Sequence, residues 1–145
     1  MKLSYRYDAQ GQLTREDNAY ANATYTFTYD GYGNILSKNT YAYTLPDTEL
    51  PETAVSTNTY SYENTNWSDQ LTKYNGVTIT YDEIGNSLSY NSGTTYTFTW
   101  QGRQLMRVES GENSYSYIYN SNGVHIKKVE NYIVHNYTVG GIKIL

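Results

Sequence analysis

The chain has 145 residues, a net charge of -4, a pI near 5.0, a mean hydropathy of -0.72 and no cysteine. Its 19 tyrosines stand against two phenylalanines and two tryptophans. So polar a composition excludes a large aliphatic core, and the lack of cysteine excludes disulfides, thiolate nucleophiles and cysteine metal sites. The acidic balance, without a lysine or arginine cluster, predicts no nucleic-acid partner.

One phrase recurs from the start of the chain: two aromatic positions one residue apart, an Asp or polar substitute, a Gly, and then an aliphatic residue. The first copy is Tyr5-Arg6-Tyr7-Asp8-Ala9-Gln10-Gly11-Gln12-Leu13. Further copies occupy 27–35, 79–88 and 117–124, a shortened copy occupies 98–105, and a degenerate copy begins at Tyr60. We call the second aromatic of each copy the anchor aromatic. The anchors are separated by 22, 33, 19, 19 and 19 residues: Tyr7, Tyr29, Tyr62, Tyr81, Trp100 and Tyr119. Such a period indicates a repeat protein.

Each copy predicts a β-hairpin. Residues two apart lie on the same face of a strand, so the paired aromatics present two rings to one side. The Asp can close a turn by accepting a hydrogen bond from the N–H two residues on, and the Gly can adopt the left-handed conformation of a bulged turn. We assign this turn role to Asp8, Gly11, Asp30, Gly33, Asp82, Gly85, Gly102, Asn120 and Gly123. The repeat aromatics are Tyr5, Tyr7, Phe27, Tyr29, Tyr62, Tyr81, Phe98, Trp100, Tyr117 and Tyr119.

The segments between the turns alternate Thr or Ser with aromatic residues, as in Thr24-Tyr25-Thr26-Phe27, which is typical of half-buried strands. A stretch at about 45–57, with both prolines and several acids, predicts an irregular insertion loop. No segment has helical periodicity, no apolar run is long enough for a membrane span, and there is no signal segment. We therefore predict an all-β chain of tandem antiparallel hairpins over 1–145, without a separate domain.

The repeated Tyr-Asp-x-x-Gly phrase resembles the YD repeats of RHS proteins, of related wall-associated and toxin proteins, and of teneurins. The resemblance covers essentially the whole chain and is closest at 67–105. It implies a curved, spiralling sheet that forms part of a shell around a C-terminal toxin or other cargo. It also implies a secreted or cell-surface bacterial parent, whose other repeats and cargo are the partners and whose export signal lies outside this chain. Free sheet edges in such a segment predict edge-to-edge self-association.

Three functions compete at this point. The leading hypothesis is a non-catalytic structural module that needs no cofactor or metal, since the acids Asp8, Asp30 and Asp82 each precede a turn glycine and so suit turn formation better than catalysis or calcium binding. The alternative is a carbohydrate-binding surface, for example on cell-wall glycans, with Trp67 and Trp100 as stacking residues. Catalysis is third, because the only histidines, His125 and His135, lie in strand patterns without a partner nucleophile at a telling spacing.

Overall fold

The computed structural model describes residues 3–91, 93–140 and 143–144. All regular elements in these ranges are β-strands, and each sheet is built from antiparallel strands that follow one another in the chain. The predicted all-β class with consecutive antiparallel hairpins is therefore confirmed. By its contacts the chain divides into two compact units, Met1–Thr78 and Ile79–Leu145.

The first unit is a single seven-stranded sheet whose strand order is the chain order. Every strand therefore neighbours the one before it, and no connection crosses the sheet. The strands are β1 (Leu3–Tyr7), β2 (Leu13–Asn18), β3 (Ala23–Tyr29), β4 (Ile35–Ala42), β5 (Ser56–Ser61), β6 (Lys73–Tyr74) and β7 (Val77–Thr78). The predicted insertion corresponds to the residues between β4 and β5, which begin after Ala42 and end before Ser56.

The second unit contains a six-stranded sheet with the same serial order and a separate two-stranded sheet. The six strands are β8 (Ser89–Asn91), β9 (Thr95–Gln101), β10 (Gln104–Ser110), β11 (Asn113–Tyr119), β12 (His125–Glu130) and β13 (Ile133–Asn136). The two-stranded sheet is formed by β14 (Val139–Gly140) and β15 (Lys143–Ile144). No helix in the described ranges is long and apolar enough to cross a membrane.

The alternation in the sequence separates two kinds of side chain on each sheet. On β3, Thr24, Thr26 and Thr28 share one face, while Tyr25 and Phe27 share the other, because successive strand residues point to opposite sides. The strand β9 repeats this pattern with Thr95, Thr97 and Thr99 against Tyr96, Phe98 and Trp100. Each of these two strands therefore presents hydroxyl side chains to one face of its sheet, the hydroxyl face, and aromatic rings to the other, the aromatic face.

Little of the chain is buried as an aliphatic core. The buried hydrophobic residues in the described ranges are Ala23, Ile79 and Val108. Most rings on the aromatic faces are half-buried, including Phe27, Phe98, Trp100, Tyr117 and Tyr119. Because so little apolar surface is enclosed, contacts between adjacent strands carry a large part of the stabilisation.

Candidate functional site

In four copies the hairpin turn begins at an Asp or Asn, and these turns share one geometry. In each, Oδ1 of the Asp or Asn accepts hydrogen bonds of 2.8–3.1 Å from the backbone N–H groups two and four residues later. The backbone of the same residue donates to the carbonyl four residues on, and its carbonyl accepts from the glycine N–H, at 2.9–3.2 Å. These turns begin at Asp8, Asp30, Asp82 and Asn120.

Each of these turns depends on a glycine at its third position after the Asp or Asn. The four glycines have φ between 75° and 92°, the left-handed region that side chains with a Cβ rarely adopt. They are Gly11, Gly33, Gly85 and Gly123. Next to three of the turns the strand register shifts by one residue, at Arg6/Tyr7, Thr28/Tyr29 and Ile118/Tyr119. The turn and the bulge together bring the anchor aromatic to the same position beside each bend.

Hydrogen bonds favour the ionised form of two turn carboxylates, Asp30 and Asp82. The Asn34 side chain donates to Oδ2 of Asp30 at 2.9 Å, and this bond, with backbone N–H donors, lowers the pKa of Asp30 below 3.8. Desolvation raises the pKa of Asp82, but the hydrogen bonds of Asn86, together with the Ile84 N–H and the charge of Arg103, lower it, and the net pKa also lies below 3.8. An ionised carboxylate is the stronger acceptor, so ionisation and turn closure support each other.

The polar ends of three anchor aromatics each join a hairpin to the one before it. The Tyr29 hydroxyl donates to the Leu13 carbonyl at 2.8 Å, and the Tyr119 hydroxyl donates to the Leu105 carbonyl at 2.9 Å. The Trp100 indole N–H donates to the Ser87 carbonyl at 2.7 Å. All three acceptors follow the turn glycine of the previous copy by two or three residues, so the bonds are equivalent. We call them backward staples.

Burial accompanies these staples. Desolvation raises the pKa of Tyr29 above 10.0, with a further contribution from the negative charge of Asp8. Desolvation likewise raises the pKa of the equivalent anchor Tyr81. A phenol whose pKa is raised stays protonated over a wider pH range, and a protonated hydroxyl is the species that can donate to a carbonyl.

A second set of bonds runs in the opposite direction along the turns. The amide of Asn34 donates to the Ser68 carbonyl at 3.1 Å, and that of Asn86 donates to the Gly102 carbonyl at 2.7 Å, each in the turn region of the next copy. In the first copy the same place is taken by Gln12, whose Nε2 lies 3.3 Å from where a Cβ on Gly33 would be. We call the bonds of Asn34 and Asn86 forward amide bonds. The junction between the copies 79–88 and 98–105 has both a backward staple and a forward amide bond, so it is held at the anchor ring and at the turn.

Two copies depart from the common turn. In the shortened copy Gln101 pairs with Gln104, so the turn has only two residues, and Gly102 has a φ of 56°. In the degenerate copy the turn begins at Asn64, one residue later than the Asp position; its Oδ1 accepts from the Asn66 N–H at 3.0 Å. Tyr62 lies just after β5 and is half-buried, as an anchor beside a bend.

The remaining repeat aromatics lie on the aromatic faces with different exposure. Tyr5 and Tyr7 on β1 are exposed, at 48% and 60%. The ammonium of Lys38 lies 4.4 Å from the Tyr25 ring centroid and 5.9 Å from that of Phe27. Lys128, eight residues after its turn Asn as Lys38 is after its turn Asp, lies 4.8 Å from the Tyr115 ring. The copies whose turns begin at Asp30 and Asn120 therefore share a matching cation–π contact.

The sequence did not predict the most buried polar group of the first unit, which we call the Arg15 cluster: Arg15, Asp17, Thr24 and Thr44. Nε of Arg15 lies 2.8 Å from Oδ1 of Asp17, which also accepts from the Thr24 hydroxyl at 3.1 Å. Arg15 donates further to the Thr44 hydroxyl at 2.8 Å and to the Thr48 carbonyl at 2.9 Å. The cluster therefore fastens the insertion loop onto the hydroxyl face of the sheet.

The two histidines of the described residues have different surroundings. His125 packs against three tyrosine rings, those of Tyr117, Tyr119 and Tyr137, at centroid distances of 4.9–5.6 Å. His135 is exposed, with its Nε2 4.0 Å from a carboxylate oxygen of Glu130. Two clefts, of about 300 and 220 Å³, are lined by residues other than histidine. No group of three or more His, Asp or Glu side chains that could hold a metal ion occurs among the residues described.

The two tryptophans differ in environment. Trp67 lies in the turn region of the degenerate copy and is 45% exposed. Trp100 is half-buried on the aromatic face, and its indole N–H is engaged in a backward staple. Of the two stacking residues proposed from the sequence, Trp67 therefore has the more accessible ring.

Comparison with known proteins adds no family assignment. A scan against models of protein families finds no match to the chain, and a search of curated proteins also finds none. The resemblance to YD repeats is accordingly carried by the repeated phrase itself.

Proposed function

We propose that the chain is a non-catalytic structural module, a run of YD-type hairpin repeats that forms a segment of a β-shell. In the parent protein this curved wall would continue into further repeats and enclose a C-terminal toxin or other cargo outside the cell. The activity of such a module is its architecture, and no residue in it is assigned a catalytic role.

The observation that supports this proposal most directly is the pair of bonds at the junction between the copies 79–88 and 98–105. The backward staple of Trp100 and the forward amide bond of Asn86 both join the copy at 79–88 to the next one. A hairpin held in this way is stabilised by its neighbour rather than by an enclosed core, which is the logic of a repeat array. An anchor ring with a hydrogen-bond donor recurs in every copy, and a side-chain amide four residues after the Asp recurs in the copies that begin at Tyr5, Phe27 and Ile79, so junctions of this kind can be repeated along a chain.

A duplication tests the proposal. A second copy of residues 101–119 inserted after Tyr119 adds two turns and two strands in phase with the period of 19 residues. We expect the variant to fold, because the new Tyr119 finds the new Leu105 carbonyl at the same relative position. Hydrogen exchange followed by mass spectrometry should show amides of the inserted segment protected to the same degree as those of β10 and β11.

The matched control is an insertion of the same 19 residues in scrambled order, which keeps length and composition but removes the staple and the turns. It should leave the inserted amides unprotected. Equal protection in the two variants, or loss of the fold in the in-phase duplication, would show that the junctions do not determine the fold and would contradict the proposal.

Self-association at sheet edges belongs to the same proposal. Among the described residues no strand pairs with the outer edge of β1 or of β13. An open strand edge presents unpaired N–H and C=O groups to other chains. We expect the mass from multi-angle light scattering to rise with concentration, and a constant monomer mass would contradict this part of the proposal.

Binding of cell-wall glycans is the second candidate function, and the exposure of Trp67 favours it. We expect Trp67→Ala to reduce retention on insoluble cell-wall polysaccharide without a change in the circular dichroism spectrum. Trp100→Ala, in contrast, should lower stability through the loss of its staple. Unchanged retention of the Trp67 variant would rule out this residue as the stacking platform.

A further inference from the structure

An almost fully exposed tyrosine occupies a strained backbone position at the tip of the β12–β13 hairpin. Glu130 pairs with Ile133, which leaves Asn131 and Tyr132 as the two turn residues. Their φ angles are 45° and 73°, both left-handed, and Tyr132 is 98% exposed. A bulky residue in this conformation is uncommon, and its ring gains no burial here that would offset the strain.

The matching turn of the first unit has glycine at this position. Between β6 and β7, Asn75 and Gly76 have φ angles of 48° and 77°. Asn75 accepts from the Thr59 N–H at 2.8 Å and donates to the Asn58 side chain at 3.0 Å. Asn131 makes the same two bonds, with the Ser114 N–H at 2.8 Å and the Asn113 side chain at 2.7 Å. The two turns are thus built alike, and the tyrosine is the departure that structure does not require.

A small cleft of about 220 Å³ lies beside this ring. Its polar lining consists of Arg107, Glu112, Ser114, Ser116 and Asn131, and its apolar lining is Val129 with Tyr132. Two of the polar groups are already positioned, since Arg107 Nε lies 3.3 Å from the Ser114 hydroxyl and its Nη2 lies 2.8 Å from Glu109. The cleft is smaller than the roughly 300–1,000 Å³ of pockets for drug-sized ligands, so it suits one ring of a longer ligand.

We propose that Tyr132 and this cleft form a subsite for a neutral glycan. The tyrosine ring supplies an apolar face for a sugar ring to stack on, while hydroxyl, amide, guanidinium and carboxylate groups beside it can exchange hydrogen bonds with sugar hydroxyls. The single positive charge of Arg107 is offset by Glu109 and Glu112, so the site does not favour sulfated, phosphorylated or uronic polymers. Its short, mostly polar lining does not offer the apolar centre that a protein partner uses. The site is independent of Trp67 and of the shell proposal.

Because the backbone at Tyr132 is strained, one variant can separate the effect of this residue on stability from its effect on binding. Tyr132→Gly restores the Asn-Gly pair preferred in such turns, so the fold should gain stability, with a rise in Tm of about 2–4 °C. The same change removes the stacking ring. We therefore expect a variant that is more stable than the wild-type chain and at least 10-fold weaker in glycan binding, whereas Tyr132→Phe should keep both the ring and the binding.

The binding probes are the neutral polysaccharides hydroxyethyl cellulose, arabinoxylan and galactomannan in affinity gels, with chitohexaose by calorimetry and dextran sulfate as the charged probe. Support requires that a neutral probe binds the wild-type chain and that Tyr132→Gly loses it. Tyr32→Ala, which removes another highly exposed tyrosine from the first unit, should bind as wild type does. Binding of no neutral probe, binding of dextran sulfate alone, or binding lost with Tyr32 but kept without Tyr132 would overturn the assignment.

Discussion

Replacement of Arg15 by methionine should be the most costly single change in the first unit. Methionine keeps much of the side-chain length, but it cannot donate to Asp17, to the Thr44 hydroxyl or to the Thr48 carbonyl. Asp17 is only 1% exposed, so its carboxylate would remain buried without a counter-charge. Removal of one partner of a buried ion pair costs about 3–5 kcal/mol of unfolding free energy. That is a large share of the roughly 5–15 kcal/mol typical of a folded domain.

Urea unfolding followed by intrinsic fluorescence measures this loss, and hydrogen exchange at residues 44–48 should show the loop released. The double variant Arg15→Met with Asp17→Leu removes both charges and should recover most of the lost stability, because an apolar pair of similar volume is about as stable as a buried ion pair. A double variant as unstable as the single one would show that the cost is packing rather than an uncompensated charge.

The matched control is Arg6→Met. Arg6 lies directly opposite Arg15 in the β1–β2 register and also forms an ion pair, at 2.8 Å to Asp47. Both residues of this pair, however, are exposed. Exposed ion pairs contribute about 0–1 kcal/mol, so this variant should unfold close to the wild-type midpoint. Equal losses for the two variants would refute the argument that burial makes the difference.

The remaining predictions concern the staples and the turns. Tyr119→Phe should lower the unfolding free energy by about 1 kcal/mol in urea titrations, because it removes one hydrogen bond, whereas Tyr5→Phe should not. The pKa of Asp30 is lowered in the fold, so its stabilising contribution is complete above pH 3.8 and is lost as pH falls through the folded pKa; Asp30→Asn should flatten acid unfolding in that range. The pKa of Tyr29 is raised, so its contribution is complete below pH 10.0 and is lost as pH rises through the folded pKa. Phenolate absorbance titrations of the wild type and of Tyr29→Phe should differ by one late-ionising group, and identical curves would contradict the assignment.

The parts of the fold that depend on local sequence were accessible from the residues alone. Alternation along Thr24-Tyr25-Thr26-Phe27 specifies a strand and its two faces, because the side-chain period of a strand is two. The turn beginning at Asp30 is closed by bonds to residues no more than four positions away. Short-range determinants of this kind leave a readable pattern.

The Arg15 cluster left no such pattern. Arg15 meets Thr44 and Thr48 about thirty residues along the chain, inside a loop with no periodicity. In the strand Leu13–Asn18, a charged pair two residues apart is typical of a solvent-exposed face. The Arg15–Asp17 pair is buried because the insertion loop folds back over the sheet. This is a tertiary contact, which no local sequence pattern predicts.

The backward staples had a signal that could have been used. Every anchor position holds Tyr or Trp, whereas the position two residues earlier admits side chains with no polar head group, namely Phe27, Ile79 and Phe98. A position that accepts only rings with a donor predicts a hydrogen-bond partner as well as packing. The forward amide bonds had a similar signal in Asn34 and Asn86, each four residues after its Asp.

The two opposite sets of junction bonds also determine how the chain should respond to mechanical load. A hairpin inside a run is tied to both neighbours, whereas a terminal hairpin is tied to one, so force applied along the chain should peel hairpins from an end inward. Between successive anchors such as Tyr81 and Trp100, each step would release 19 residues, at most about 60–70 Å of extended chain. A chain made of such units would unfold under tension one repeat at a time rather than in a single step.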